Sequence, residues 1–135
     1  MRFIKYSFAI NSYHQAVKTI NACHSRKIFP IIYIKYFIVD GFGPDWLKEF
    51  NNLLIQQFPS KTFKIYVDCK KNFGLFINLV EQKINYLKFY SKKENLKKLN
   101  QIAKKNKVLL NPQFSVIDLS KIKNINLKID RILMK

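Results

Sequence analysis

Residues 63–80 read FKIYVDCKKNFGLFINLV, and this stretch decides the fold. Phe63 to Val67 combines aromatic and β-branched residues, a composition that is typical of a strand. The polar turn Asp68-Cys69-Lys70-Lys71-Asn72 follows it directly. Apolar residues then recur with helical spacing, at Phe73, Phe76, Ile77, Val80 and Ile84. The stretch is therefore predicted to be a strand, a turn and a helix that starts near Asn72.

The same alternation extends along most of the chain. With helices between them, further strands are predicted at residues 3–10, 28–36, 86–90 and 108–110. This order indicates an α/β domain with a mainly parallel sheet of about five strands and helices on both faces, of the doubly wound type. A length of 135 residues fits one domain, 1–135. Residues 113–135 stay open, because their isoleucines suit a helix and partly alternate as in a strand.

Two loops carry specific expectations. Residues 40–44, DGFGP, are predicted to form a turn that places Pro44 at the first position of a helix. Ser91 is predicted to cap the lysine-rich helix that follows it, with Glu94 completing a capping box.

The net charge of the chain is +17, from 25 basic and 8 acidic side chains. Such a surface suits a polyanion, because binding phosphates releases their counterions. Only three of the basic residues are arginine, whose planar group favours base-edge and bidentate phosphate contacts. The abundance of Lys, Asn, Ile, Phe and Tyr also fits AT-rich codons. The sequence leaves open whether the charge reflects a partner or genome composition.

The densest charge lies on the helix predicted between Lys92 and Lys107. An apolar stripe runs through Leu96, Leu99, Ile102 and Ala103. The remaining arc carries Lys93, Lys97, Lys98, Lys104 and Lys105. This arc is either a solvated outer face or a surface that follows the phosphates of RNA. It contains no aromatic side chain and therefore lacks a platform for base stacking.

Several classes of protein are disfavoured. The chain has only three glycines, so the glycine-rich phosphate loops of dinucleotide-binding domains and P-loop enzymes are absent, and no cofactor is expected. The apolar stretch from Ile28 to Val39 is too short for a membrane helix. The apolar run after Arg2 and Lys5 is too short for a secretory signal. We expect a cytoplasmic protein with no membrane partner, whose two cysteines are free thiols.

The predicted sheet places a candidate site at its carboxyl edge. Ligands of open parallel sheets bind beyond the carboxyl ends of the strands, where loop amides and helix N-termini converge. The residues that we expect to contact a ligand there are Asp40, Asp68, Cys69, Lys70, Asn72 and Ser91.

Two interpretations of the turn after Val67 stay open. Asp68 could act as a base or ion ligand, Cys69 as a thiolate and Lys71 as an anion anchor. Alternatively, Asp68 accepts backbone hydrogen bonds and Cys69 is a small buried apolar residue. No histidine or second cysteine completes a nucleophile set, so no catalytic residue is assigned. No metal site is expected either, because no one helix face brings together His14, Cys23 and His24.

Part of the chain resembles a known group of proteins. A strand ending in Asp68-Cys69, an apolar helix opened by Gly74 and a late Asp118-Leu119 pair are similar to features of small uncharacterised alphaproteobacterial proteins. Gly43-Pro44-Asp45-Trp46 resembles a helix start in that group, and the resemblance covers about residues 28–120. The chain departs from the group in composition, since those proteins are rich in Ala and Arg. The resemblance implies an α/β fold and a bacterial cytosolic setting, and it implies no catalytic role.

These features predict a small cytosolic α/β protein without enzymatic activity, which acts as a regulatory or interaction module with an anionic-ligand site at the carboxyl edge of the sheet. The alternative is an RNA- or ribosome-associated protein that binds through the helix between Lys92 and Lys107. A hydrolase or transferase that uses Asp68 and Cys69 is a third class. The expected partner is a protein or RNA.

Overall fold

The computed structural model describes the backbone of residues 2–133 and the side chains of residues 3–133. The strands are β1 (Arg2–Ile10), β2 (Ile28–Ile34), β3 (Lys64–Asp68), β4 (Tyr86–Lys88), β5 (Leu109–Leu110) and β6 (Ser115–Asp118). The helices are α1 (Tyr13–His24), α2 (Tyr36–Phe42), α3 (Pro44–Gln57), α4 (Phe73–Glu81), α5 (Lys93–Lys105) and α6 (Ile125–Leu133). A short 3-10 turn, Ser60–Thr62, precedes β3.

These six strands are parallel and form one sheet in the order β5-β4-β3-β2-β1-β6. Their register brings to one level the residues Ala9, Tyr33, Tyr66 and Tyr86. The predicted α/β class and the parallel sheet are confirmed, but the sheet has six strands and not about five. The additional strand is β6, which lies in the segment that the sequence pattern left open.

The helices pack on one face of the sheet, which corrects the expectation of helices on both faces. From β1 to β5 every connection steps one strand in the same direction, and right-handed crossovers then put the connecting helices on one side. The main core lies on this side, between strand residues such as Ile34 and Val67 and helix residues such as Leu47 and Phe76. On the other side, the packed side chains come from the strands and the loop before β6: Phe3, Ala9, Ile31, Tyr33, Tyr66, Tyr86 and Phe114.

The short connection between the two edge strands requires a strongly curved sheet. Only four residues join them. Leu110 ends β5, and Ser115 begins β6 on the opposite edge. Five peptide steps reach about 18 Å, whereas five strand spacings in a flat sheet would cover about 24 Å. The connection crosses the helix-free face, where the Phe114 ring centre lies 6.0 Å from that of Tyr66 and 5.0 Å from that of Tyr86. The helix-free face is therefore the concave inside of the sheet.

The segment after β2 differs from the predicted strand and turn. The strand ends at Ile34, and Tyr36–Phe42 form α2 where the sequence predicted the end of a strand and part of a turn. The change of direction falls at Gly43, whose φ of 91° lies in the region that favours glycine. Pro44 then occupies the first turn of α3, as predicted. Periodicity alone cannot divide a short apolar run such as residues 28–39 between a strand and a helix.

The carboxyl-terminal segment forms β6 and α6. Ile125 and Ile129 of α6 are buried against Ala22 and Cys23 of α1, so α6 joins the helical side of the sheet. The helical interpretation of these isoleucines is therefore the one that the structure adopts. Of the predicted domain 1–135, Met1 and the last two residues lie outside the described residues.

Candidate functional site

The carboxyl ends of the six strands lie along one edge of the sheet, because the strands are parallel. The strand order places the turn after β3 between the turns that follow β2 and β4. Two neighbouring parts of this edge follow β3 and β4. We call residues 68–73 the β3 corner and residues 88–93 the β4 corner.

Asp68 ends β3 and is 7% exposed. Its carboxylate accepts hydrogen bonds from the Tyr33 hydroxyl at 3.1 Å and from the Lys70 backbone N–H at 2.8 Å. The second bond holds Lys70 at a φ of 47°, in the left-handed region that favours glycine. The Asp68 side chain is thus the support of the turn, in agreement with the structural one of its two interpretations.

Cys69 lies on the helical side of the sheet, buried in the main core. Burial, followed by the negative charge of Asp68, raises the pKa of its thiol to about 12. A catalytic thiolate needs the opposite shift of its pKa. The Cys69 side chain is therefore buried in the core and does not face the edge where we expected it to contact a ligand. Cys23 is also a buried free thiol.

The other predicted residues of this region surround the Tyr36 side chain. Asn72 caps α4, where its Oδ1 accepts from the Leu75 N–H at 3.0 Å, and its Nδ2 donates to the Tyr36 hydroxyl at 3.3 Å. The same hydroxyl donates to Asp40 Oδ1 at 3.3 Å. Lys70 Nζ lies 5.7 Å from the centre of the Tyr36 ring. The structure brings Asp40, Lys70 and Asn72 together, and their polar groups largely serve one another.

A cavity of about 270 Å³ opens at the β4 corner. Lys88 is the strand residue opposite Asp68 in the register of β3 and β4, so both side chains leave the same face of the sheet. Lys88 Nζ lies 5.2 Å from the centre of the Tyr90 ring. The cavity is lined by Tyr66, Lys88, Phe89, Tyr90, Ser91, Leu96, Asn111 and Pro112.

The Tyr66 hydroxyl is a free hydrogen-bonding group in this cavity. Tyr66 is 3% exposed, and its hydroxyl makes no hydrogen bond within the described residues. Every fully buried side-chain polar atom of residues 3–133 has a partner, so this hydroxyl retains some accessible area. Tyr66 is also one of the residues that line the cavity. Burial, followed by the charge of Asp68 and the proximity of Tyr90, raises the pKa of Tyr66 to about 12. The phenol therefore stays protonated at neutral pH and can donate.

An open groove of about 600 Å³ adjoins the cavity on the side of α5. It shares with the cavity the residues Phe89, Tyr90 and Ser91. It adds Lys71 of the β3 corner together with Lys92 and Asn95 at the start of α5. Ser91 therefore borders both hollows, and of the predicted ligand contacts it is the one that lies at the β4 corner.

The start of α5 has no side-chain cap. The helix begins at Lys93, and the preceding Lys92 makes no capping hydrogen bond, so the capping box predicted from Ser91 and Glu94 is not formed. Three other helices are capped by the side chains of Ser12, Asn72 and Asn124. The first backbone N–H groups of α5 remain available to an anion, at the positive end of the helix dipole.

Four lysines near the two corners make no ion pair with a carboxylate of the described residues. Within residues 3–133 the ion pairs are Arg26 with Asp130 at 3.2 Å and Lys35 with Asp118 at 2.9 Å. Four lysines near the two corners stand outside these pairs: Lys70, Lys71, Lys88 and Lys92. Their ammonium groups are therefore not engaged in ion pairs within the described residues.

The chain matches no protein-family model, no curated protein and no solved structure. The resemblance to the alphaproteobacterial group stays a prediction. Within residues 2–133, no group of three or more His, Cys, Asp or Glu side chains is placed to hold a metal ion. No helix in this part of the chain is long and apolar enough to cross a membrane.

The lysine face predicted on α5 points outward. Leu99 and Ala103 are buried against the core, whereas the lysines of the face are exposed: Lys93, Lys97, Lys98, Lys104 and Lys105. This outward position fits both the solvated face and the phosphate-following surface that the sequence left open.

Another opening of about 600 Å³ lies between α1 and the start of α6. Part of its polar lining is engaged, since Asn126 Oδ1 accepts from Arg26 at 2.8 Å and Asn124 caps α6. Lys18 and Lys123 also line it and make no ion pair within residues 3–133. The β4 corner combines unpaired lysines with the nearly buried Tyr66 side chain, and it is therefore the better candidate site.

The predicted ligand contacts do not include Tyr66, Lys88 and Tyr90. Alternation along β3 does place Tyr66 and Asp68 on one face, and this signal was present in the sequence. The register that sets Lys88 opposite Asp68 is a property of the assembled sheet, and no local pattern specifies it.

Proposed function

We propose that the protein is a small non-enzymatic regulatory or interaction module that binds an anionic, phosphate-bearing ligand at the β4 corner. The observation that carries this proposal is that two residues with unpartnered polar groups line the same cavity. Lys88 has no carboxylate partner, and the Tyr66 hydroxyl has no hydrogen-bond partner within the described residues. A phosphate oxygen satisfies both, because it accepts hydrogen bonds and carries negative charge.

The adjoining groove supports the same ligand chemistry. The uncapped N–H groups of α5 and the ammonium groups of Lys71 and Lys92 border one hollow beside the cavity. Helix N-termini and lysines both favour phosphate. An anion held by Lys88 and Tyr66 would therefore meet further positive potential on the side of α5.

Binding is favoured over catalysis by the state of the two reactive residues. Asp68 already accepts two hydrogen bonds and is nearly buried, and the Cys69 thiol faces the core with a raised pKa. These are the residues on which a hydrolase or transferase would depend. We place the module in the cytoplasm, since both cysteines are free thiols, as in reducing compartments.

Isothermal titration calorimetry with inorganic pyrophosphate tests the proposal. We expect Lys88→Ala and Tyr66→Phe each to weaken binding about tenfold, as for the loss of a hydrogen bond to a charged group. Lys104→Ala is the matched control, because Lys104 is an exposed lysine of α5 outside the cavity and the groove.

Two results would overturn the proposed function. One is an absence of pyrophosphate binding by the unmodified protein at millimolar concentration. The other is an equal loss of affinity in Lys104→Ala and Lys88→Ala, which would show that only the net charge matters. Circular dichroism of each variant verifies that the fold is retained.

A further inference from the structure

Two exposed aromatic side chains border the hollows at the β4 corner. Tyr90 is 44% exposed and lines the groove that contains Lys71 and Lys92. Phe73, at the start of α4, is 54% exposed and lines a second groove of about 450 Å³. The two grooves are continuous, because both are lined by Phe89, Ser91 and Asn95. One concave path thus runs past both aromatic rings.

Lysines accompany these rings along the path. Lys71 and Lys92 lie beside Tyr90, and Lys98 lines the second groove together with Phe73. None of the three takes part in an ion pair within residues 3–133. The α5 face as judged from sequence carries no aromatic residue, but the fold brings Phe73 and Tyr90 to its amino-terminal end from other segments.

We propose that this path binds single-stranded nucleic acid, with bases stacked on Tyr90 and Phe73 and phosphates beside the lysines. The inference rests on the proposed function, since it identifies the phosphate-bearing ligand of the same edge as a polymer. Alternation of exposed aromatic rings with cations is the arrangement that binds unpaired bases with little regard to sequence.

The shape and the charge of the surface both favour this ligand. The hollows are open grooves that continue into one another and do not enclose a small molecule. The net charge of +17 attracts a polyanion from a distance. Lysine in place of arginine suits phosphate contacts without base-edge readout, so the protein should discriminate single strands from duplexes and not one sequence from another.

Fluorescence anisotropy tests the inference, with labelled oligo(U) and oligo(dT) as ligands. A length of about ten nucleotides lies within the usual site size of single-strand binding folds. Tyr90→Ala and Phe73→Ala should each weaken binding between about 5- and 150-fold, the range measured for one lost stacking contact. Phe42→Ala is the matched control, because Phe42 is 66% exposed and lies outside both grooves. It should leave affinity unchanged.

The salt dependence of binding identifies the lysines that contact phosphate. The double variant Lys71→Ala and Lys92→Ala should reduce the slope of log affinity against log salt by about 1.4, or roughly 0.7 for each contact. The control double variant is Lys27→Ala and Lys61→Ala, two exposed lysines that precede β2 and β3 at the opposite edge. It should alter the slope much less.

Three outcomes would overturn the inference. The first is a duplex of the same length that binds as tightly as the single strand, and the second is an affinity of the Tyr90 and Phe73 variants no lower than that of Phe42→Ala. The third is a larger loss of affinity in the double variant Lys104→Ala and Lys105→Ala than in the double variant Lys71→Ala and Lys92→Ala. The last would locate binding on the outer face of α5. If pyrophosphate still binds through Lys88 in any of these cases, the proposed function stands and only the nucleic acid is excluded. Comparison of oligo(U) with oligo(dT) shows whether RNA or DNA is preferred.

Discussion

The β3 corner and the β4 corner are neighbours on the same edge of the sheet, yet their polar groups are used in opposite ways. Two backbone hydrogen bonds of 2.8 Å tie them together, from Cys69 N–H to the Lys88 oxygen and from Tyr90 N–H to the Lys70 oxygen. At the β3 corner the side chains of Asp68 and Asn72 bond within the protein. Lys88 and Lys92 of the β4 corner make no ion pair within residues 3–133. A polar motif such as residues 68–72 can therefore serve mainly the fold, while unpartnered groups lie at the end of the adjacent strand.

The difference has a simple energetic basis. A buried carboxylate such as Asp68 is tolerated only when its hydrogen bonds are satisfied, so the protein supplies them. Lys88 and Lys92 reach solvent, and water satisfies their ammonium groups. The β3 corner supports the β4 corner through the two backbone hydrogen bonds between them.

The largest expected contrast is in thiol reactivity. Since the pKa of the Cys69 thiol is raised from 9.0 to about 12, its thiolate fraction at pH 8 is lower by about a thousandfold than that of an ordinary thiol. Iodoacetamide should label the folded protein that much more slowly than Asn95→Cys, which places an exposed thiol in the groove beside the β4 corner. Mass spectrometry counts the labelled sites, and labelling of unfolded protein in urea is the reference. Native labelling of Cys69 at the rate of the introduced thiol would contradict the assignment of this corner to the core.

The next contrast is in stability. Asp68→Ala leaves the Tyr33 hydroxyl and the Lys70 N–H without their acceptor, and we expect it to lower the free energy of unfolding by about 3 kcal/mol. Asp68→Asn keeps one acceptor oxygen and should cost less. Lys88→Ala should change stability by no more than about 0.5 kcal/mol, because its side chain makes no such bonds. Urea titrations measure all three, and equal losses for Asp68→Ala and Lys88→Ala would remove the distinction between the corners.

The local parts of this architecture could be predicted from sequence. Residue type and spacing predict a strand from Phe63 to Val67, and the structure has it at Lys64–Asp68. The start of a helix near Asn72 and the common edge of parallel strands also follow from the sequence pattern and are present. The curvature could not be predicted, because it depends on the short crossing from β5 to β6, whose residues carry no periodic pattern. The one-sided placement of helices follows from strand order, which local spacing does not encode.

Most of the residues predicted to contact a ligand lie at the β2 and β3 ends of the carboxyl edge, whereas the unpartnered groups of the proposed site lie beside β4. Whether a polar residue is engaged depends on partners that are distant in sequence, as Tyr33 is from Asp68. The partner of Asn72, Tyr36, sits on a helix where the sequence suggested a strand. Residue types identify which side chains can bond, and only the assembled fold shows which of them already do.

The two helix starts provide a smaller test of the same contrast. Asn72→Ala removes the cap of α4 and should destabilise the protein by about 1 kcal/mol. Lys92→Ser should instead stabilise it by about 1 kcal/mol relative to Lys92→Ala, since the extended backbone of Lys92 suits a capping serine. Both Lys92 variants lose the same positive charge, so a difference between them reports the effect of the capping hydroxyl and not of the charge. Pyrophosphate affinity should be lower in Lys92→Ser than in Lys92→Ala, because the serine occupies the N–H groups. A serine variant that binds better than the alanine variant would contradict a role for these groups.

The smallest effect concerns a third part of the edge, where Lys35 already has a partner. Partial burial alone would raise the pKa of Asp118, but hydrogen bonds from Ser120 and Lys35, with the charge of Lys35, lower it to about 2. A carboxylate with a lowered pKa stabilises the fold at pH values above its ordinary pKa, and this contribution is lost as the pH falls toward 2. The side chain of Asp118 is 53% exposed, so screening limits the effect to about 0.5 kcal/mol or less.

Urea midpoints of the unmodified protein and of Asp118→Asn should therefore differ slightly at pH 6 and coincide near pH 2. A difference that persists at pH 2 would show that Asp118 acts through packing and not through its charge. The same variant tests whether an unpaired lysine is sufficient to bind an anion. It removes the carboxylate partner of Lys35, which has no neighbour such as the Tyr66 hydroxyl or an uncapped helix start. If a free lysine were sufficient, Asp118→Asn would create a second pyrophosphate site in calorimetry. We expect no such site, because the β4 corner combines a cation with a buried donor and Lys35 would supply the cation alone.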